Sequence, residues 1–166
     1  LERYWDLLKP HGKFLTIMDE SILNTDSNQP FRLWLKRKFV IKAVISLPRN
    51  TFVNAESAAK TSVLYLVKKE DEDETQPTVF MAISSNVGHS DVGKPTPNLE
   101  DLDSRIGGWF TKFQQGESNI NFREKETLCF TVSDLSNRTN RIDAHFFDPR
   151  YAETIKELEN ARSKQG

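Results

Sequence analysis

The sequence predicts an α/β fold built on a mixed sheet, and three observations carry that expectation. Two short apolar runs, Phe14–Met18 and Ile41–Leu47, are separated by a helix-length pattern, and this strand–helix–strand spacing calls for parallel strands joined by a right-handed crossover. A third run, Thr61–Val67, follows the second with no helix pattern between them, which favours antiparallel pairing of the second and third strands. Beyond an acidic break, β-rich runs and helix patterns continue to the end of the 166 residues, so a three-stranded sheet edge with flanking helices is extended by further α/β structure.

The chain opens in a helix: Leu1, Tyr4, Trp5 and Leu8 recur at helical spacing, and Lys9-Pro10-His11-Gly12 stops the helix and turns the chain. Because the pattern is already helical at Leu1 and no methionine precedes it, the sequence reads as a piece excised from a longer chain. Phe14–Met18 is mostly apolar, as expected of a strand buried on both faces of a parallel sheet. Asn28-Gln29-Pro30 marks a helix start, and Phe31, Trp34 and Leu35 continue at helical spacing until Phe39. Pro48 closes the second strand, and Glu70-Asp71-Glu72-Asp73-Glu74 reads as a solvated loop. Thr78–Ile83 is a fourth strand, and the two glycines and two prolines between Asn86 and Asn98 make a loop. Asn98 then caps a helix carrying Leu99, Leu102, Ile106, Trp109, Phe110 and Phe113, with Gly107-Gly108 as its weak point. Glu126–Val132 is a last strand, and Asp148-Pro149 starts a charged helix ending near Lys164.

A formal net charge of −1 supplies no global attraction to nucleic acid, so any basic surface has to be local. The single cysteine, Cys129, excludes an intrachain disulfide and fits a reducing cytoplasm. With no secretory signal and no apolar run near twenty residues, no membrane partner is expected. Three scattered histidines, His11, His89 and His145, beside one cysteine do not make a zinc set.

Two segments carry a resemblance that periodicity alone does not give. The first is Leu7-Leu8-Lys9-Pro10-His11-Gly12-Lys13 followed by Asp19-Glu20-Ser21-Ile22-Leu23; the second is Ala43-Val44-Ile45-Ser46-Leu47-Pro48 with Thr51-Phe52, then Lys60-Thr61-Ser62-Val63-Leu64-Tyr65-Leu66. In this order and spacing, residues 1–70 are similar to the modification subunit of type I restriction-modification systems, the N6-adenine DNA methylase family. Phe80–His89 resembles the strand and turn that follow the methylase core, and Arg141–Pro149 resembles the approach to a DNA-specificity region. The resemblance implies the C-terminal portion of a Rossmann-like methyltransferase fold over residues 1–70, an α/β extension over 71–140, and a connector helix toward a specificity region over 141–166. It further implies methyl transfer from S-adenosylmethionine to the N6 amine of adenine in duplex DNA, in a cytoplasmic enzyme that works with a specificity subunit and a restriction subunit. Neither a glycine-rich cofactor loop nor an Asn-Pro-Pro-aromatic motif occurs, so the chain by itself is expected neither to bind the cofactor nor to catalyse, and either to self-associate through its cut sheet edge or to cover that edge with a rearranged segment such as the opening helix. RNA or protein methylation on the same fold, and a non-catalytic subunit-interaction module built on the helices around Trp109 and Tyr151, are the alternative readings.

Chemistry on a base requires that it leave the duplex stack. Phe52 matches the aromatic position that faces the flipped adenine in the family, although a Phe between two apolar strands also fits a core position. Lys60 and Thr61 fall where the family leads into its last core strand beside the target pocket, and Asn54-Ala55-Glu56-Ser57-Ala58-Ala59 replaces most of the glycine usual there. Arg32 and Lys36, four apart in the densest basic cluster, share a helix face that could meet a DNA backbone or simply face solvent. Asp19 and Glu20 follow a strand's carboxyl end, where they serve either a ligand or a helix cap.

Overall fold

The computed structural model describes residues 1–90, 92–96 and 101–163. In chain order these form α1 (Glu2–Leu7), β1 (Lys13–Asp19), α2 (Glu20–Asn24), α3 (Gln29–Lys38), β2 (Phe39–Ser46), a 3₁₀ segment (Arg49–Ala55), β3 (Thr61–Lys68), β4 (Val79–Ile83), α4 (Gly107–Gln114), β5 (Asn121–Glu124), β6 (Thr127–Val132) and α5 (Pro149–Ser163). The six strands make one sheet in the order β1-β3-β2-β4-β6-β5.

β1 and β2 run in the same direction, as the strand–helix–strand spacing requires, but they are not neighbours. β3 lies between them and is antiparallel to both, with Asp19 opposite Thr61 and Ser46 opposite Ser62. β2 is parallel to β4, and this pairing carries the sheet across position 70 without a break. α3 passes into β2 with no loop, because Phe39 leaves helical backbone at once and Pro30 stands in the helix's first turn. At the other end of the chain the Gly107-Gly108 pair marks the junction between a π-helical stretch, Asp101–Ile106, and α4; the expected cap, Asn98, lies outside the described residues.

The central strands read as their sequences demand, with every residue of β4 buried and only two of the eight in β2 less than buried. β1 differs from expectation. It is an edge strand with one face covered: Phe14, Thr16 and Met18 turn inward, whereas Leu15 and Ile17 are 68% and 51% exposed. The apolar run is continuous in sequence, but only one side of it is covered: on the other face the α4 layer packs on β2 to β6, reaching Tyr65 of the neighbouring β3, and leaves Leu15 and Ile17 exposed.

Two apolar layers flank the sheet. On one face Leu23 of α2 and Leu35 of α3 join Val44, Leu64, Met81, Phe130 and the returning residues Leu135 and Ile142. On the other, Phe110 and Phe113 of α4 pack on Phe80, at ring-centroid distances of 5.4 and 5.8 Å. α1 lies against the first face: Tyr4 stacks on Phe14 at 5.2 Å, and the Lys68 ammonium, 4.1 Å from the Trp5 ring, donates to the Trp5 and Leu8 carbonyls. The acidic loop is exposed, and Glu72 pairs there with Arg37 and Lys38 at the carboxyl end of α3.

The basic pair on α3 turns into the fold and does not form the expected face toward DNA or solvent. Arg32 is wholly buried, and its guanidinium donates to the carbonyls of Ile22, Thr25, Thr139 and Asn140 at 2.7–3.0 Å. The Lys36 ammonium donates to the Leu135 carbonyl at 2.9 Å. Both cations hold the chain that returns after β6, so Arg32 has no surface from which to meet a phosphate.

Candidate functional site at the carboxyl end of the parallel strands

β1, β2 and β4 share one direction, and ligands bind in open α/β sheets beyond the carboxyl ends of such strands. That end gathers Asp19-Glu20 from β1, Ser46 to Arg49 from β2, Ser84-Ser85 from β4 and the entry to β3, Lys60-Thr61-Ser62.

The two acids after β1 divide their roles. Asp19 caps α2: its carboxylate accepts from the Ser21 backbone N–H at 2.8 Å, and bonding to Ser21 holds it below the usual carboxylate range. Glu20 turns inward and is 5% exposed. One of its oxygens accepts from the Ser46 hydroxyl at 3.1 Å, the other lies 4.0 Å from the Lys60 ammonium, and its backbone N–H donates to the Lys60 carbonyl. Lys60 also donates to the Leu47 carbonyl, so one side chain ties the start of β3 to the ends of β1 and β2. Burial pushes the Lys60 ammonium below its ordinary value and Arg49 adds to the push, while Glu20 opposes it.

The returning chain completes the cluster. His145 is lowered by burial and by the Lys60 charge, against the pull of Glu20, Asp143 and Asp148. Its Nε2 is buried without a protein partner, as are the hydroxyls of Thr61 and Ser62. Two Arg–carboxylate forks, Arg141 on Asp143 and Arg150 on Asp148, fix the backbone on either side of the imidazole.

Beside this cluster a groove of about 650 Å³ opens between Pro48, Arg49, Val53, Glu56–Ala58 and Ser85. A smaller hollow of about 310 Å³ lies over Asp19, Glu20, Lys60 and Ala59, and Arg49 borders both. The 3₁₀ segment that walls the groove carries Phe52, which is half-buried and breaks the helical path at φ −112°, ψ 25°. With glycine absent from this connection, Glu56 takes the left-handed conformation at φ 55° that closes the segment.

Of the residues singled out in the sequence, Phe52, Lys60 and Thr61 therefore sit at one end of the sheet, with Lys60 lining the hollow and Thr61 buried behind it. Arg32 and Lys36 are elsewhere. Asp19 and Glu20, read together as a ligand pair or a helix cap, separate: Asp19 takes the cap and Glu20 turns inward. Arg49 was not among the residues singled out, and His145 was considered only for zinc. Arg49 carried a signal, a lone cation just after a strand's end, while His145 comes from the far end of the chain with none.

The N-6 DNA Methylase family model matches residues 2–159. No curated protein matches at the sequence level. Among solved structures, a chain of a type I R-M system described for its complex assembly and conformational transition aligns over 95% of these residues and 34% of its own length, at 17% identity and a TM-score of 0.54. The type IIG restriction endonuclease BpuSI aligns over 96% of these residues and 17% of its own, at 14% identity and a TM-score of 0.57. A modification subunit of a putative type I restriction enzyme from Vibrio vulnificus YJ016 aligns over 82% and 28%, at 10% identity and a TM-score of 0.51. The sequence thus spans about a third or less of the solved chains it resembles.

Proposed function

The chain belongs to the N-6 DNA methylase family, and from that premise we propose that it forms the target-base side of the cleft in an adenine-specific DNA methyltransferase of a restriction-modification system. The observation that carries this reading is the convergence of the Phe52 segment, the Arg49 and Lys60 cations and the buried Thr61 hydroxyl at the carboxyl end of three parallel strands. Phe52 stacks on the base swung out of the duplex, and stacking on an aromatic ring is worth about 1–3 kcal/mol per base. Arg49, on the rim shared by groove and hollow, meets the phosphate backbone; Lys60, held against Glu20 and the Leu47 carbonyl, sets the wall beneath it.

The family uses S-adenosylmethionine, which supplies the electrophilic methyl group. The junctions described here do not fit it. A loop that wraps the cofactor needs glycine where the backbone comes close to it, whereas the β1–α2 junction is Asp19-Glu20, with the Asp19 carboxylate on the Ser21 N–H, and the end of β2 is Leu47-Pro48. In this reading the cofactor is held by other parts of the whole enzyme and these residues orient the base. α5, which bears an exposed apolar stripe, is the contact to the specificity subunit.

The test is methyl transfer from labelled cofactor to duplex DNA by the full-length protein, with digestion to nucleosides. Label is expected on the N6 of adenine, and Phe52→Ala should cost about 1–3 kcal/mol in binding or transfer. Label on cytosine, RNA or protein overturns the proposal.

A further inference from the structure

We propose that the loop after β4 is a buttress for the Phe52 segment, with His89 as a positioning residue that acts through Phe52. The inference rests on the reading of Phe52 as the base platform and adds a determinant from a separate loop, the one after β4.

The described residues of the loop, 84–90 and 92–96, pair as a small hairpin. His89 bridges to Pro95, the Ser90 N–H donates to the Lys94 carbonyl at 2.9 Å, the Thr96 N–H to the Gly88 carbonyl at 2.8 Å, and the Asn86 side chain accepts the Gly88 N–H at 2.8 Å. From this frame two contacts reach the 3₁₀ segment. The His89 ring places Nε2 3.1 Å from the Thr51 carbonyl, and Nδ1 3.0 Å from the Ser90 carbonyl. Gly93, at φ 75°, lies so close to Asn54 that a Cβ there would fall 2.0 Å from the amide oxygen. Residues 51 and 54 bracket Phe52 and Val53, so the loop grips the segment on both sides of its kink.

Within itself, the segment is held at its ends by local bonds: the Thr51 hydroxyl and N–H to the Pro48 carbonyl, and the N–H groups of Glu56 and Ser57 to the carbonyls of Val53 and Phe52. A platform that must be ordered when the base arrives loses binding to that ordering, and one already fixed does not. Both ring nitrogens face carbonyls and a neutral imidazole carries one N–H; we place that N–H on Nε2, where it donates to the Thr51 carbonyl and where a side chain with an amide N–H can replace it.

The experiment uses the full-length protein and compares Phe52→Ala, His89→Leu, His89→Gln, Gly93→Ala and the pairings of His89→Leu and Gly93→Ala with Phe52→Ala. The readouts are affinity for a target duplex, fluorescence of 2-aminopurine at the target adenine, and thermal melting. Phe52→Ala is expected to weaken target binding roughly tenfold. His89→Leu is expected to weaken it roughly fivefold, as one lost hydrogen bond would, and to reduce the flipped-base signal. His89→Gln should restore both. Gly93→Ala, which puts a side chain at φ 75° and displaces the Asn54 side chain from the loop, should reproduce the defect, and neither loop variant should add to Phe52→Ala. A loop defect that is additive with Phe52→Ala, or that tracks the melting temperature alone, overturns the inference. If Phe52→Ala matters and both loop variants are silent, the buttress fails while the base-platform reading stands; a silent Phe52→Ala overturns both.

Discussion

Arg32 has five N–H donors in a rigid fork, and four carbonyl oxygens surround it: those of Ile22 and Thr25 from the α2 side, and those of Thr139 and Asn140 from more than a hundred residues later. Local spacing gives Arg32 and Lys36 one helix face and says nothing about which distant backbone closes over it, so the residue is legible as a cation and illegible as a clamp. Replacing it leaves those carbonyls buried and unpaired, so Arg32→Leu is expected to lower unfolding free energy by on the order of 3 kcal/mol or more, read from urea melts. A loss below about 1 kcal/mol would mean that the carbonyls find other donors. His145 makes a different prediction. Burial and Lys60 hold its folded value below the ordinary 6.5, so between the two values the unfolded chain binds more protons. Stability is therefore full above pH 6.5 and is lost as pH falls through the folded value. The lowered carboxylates Asp19, Asp134 and Asp148 start from 3.8, and Glu72 and Glu74 from 4.5, so their contributions disappear only in more acidic solution. His145→Gln should flatten the stability profile just below pH 6.5 and leave the more acidic limb in place; an unchanged slope in denaturant melts would remove His145 as its source.

At the scale of elements, those with a complete local signal are where the sequence puts them: α3 with Pro30 in its first turn, and the apolar β2 and β3; the helix expected to run through Gly107-Gly108 instead changes there from a π-helical stretch to α4. β5 was invisible because its hairpin turn, Lys125-Glu126, lacks the Asn-Gly or Asp-Gly that usually marks one; Lys125 adopts φ 54° without it. β1 was legible as a strand and misread as buried, because an apolar run does not say whether both faces will be covered. The site divides in the same way. Lys60 and Thr61 could be placed through the resemblance, whereas the choice between Asp19 and Glu20 depends on which carboxylate falls at the helix cap, a difference of one residue. α5 shows a signal that packing leaves unspent. Tyr151, Ile155 and Leu158 recur on one helical face and are 59%, 55% and 66% exposed, while Trp109, the other aromatic considered for an interaction surface, packs on Phe122 at 5.0 Å. If that stripe contacts the specificity subunit, Ile155→Glu with Leu158→Glu should weaken co-purification of the two proteins at least about tenfold without shifting the melting temperature. Undiminished complex would place the interface elsewhere.

The whole molecule is a sheet whose two margins are finished differently. At one, β5 is a short four-residue strand with charged residues, Arg123 and Glu124, at its end, features that discourage pairing with another chain. At the other, β1 is seven residues long and pairs only with β3 among the described strands; its far edge presents backbone N–H and C=O groups beside the exposed Leu15 and Ile17. α1 leaves that face open, since its aromatic contacts go to Phe14, whose side chain projects from the opposite face of β1. Burying two such side chains is worth roughly 1.5–3 kcal/mol each, and a second copy offers the same edge in return. This 166-residue chain is therefore expected to self-associate through β1. Light scattering over a dilution series should show mass rising with concentration, and Leu15→Lys with Ile17→Lys should return it to the monomer with an unchanged circular dichroism spectrum, because lysine on an open edge disfavours strand pairing. A wild-type chain that stays monomeric at the highest concentrations with β1 uncovered would show that backbone and side chains at this edge are satisfied by water alone.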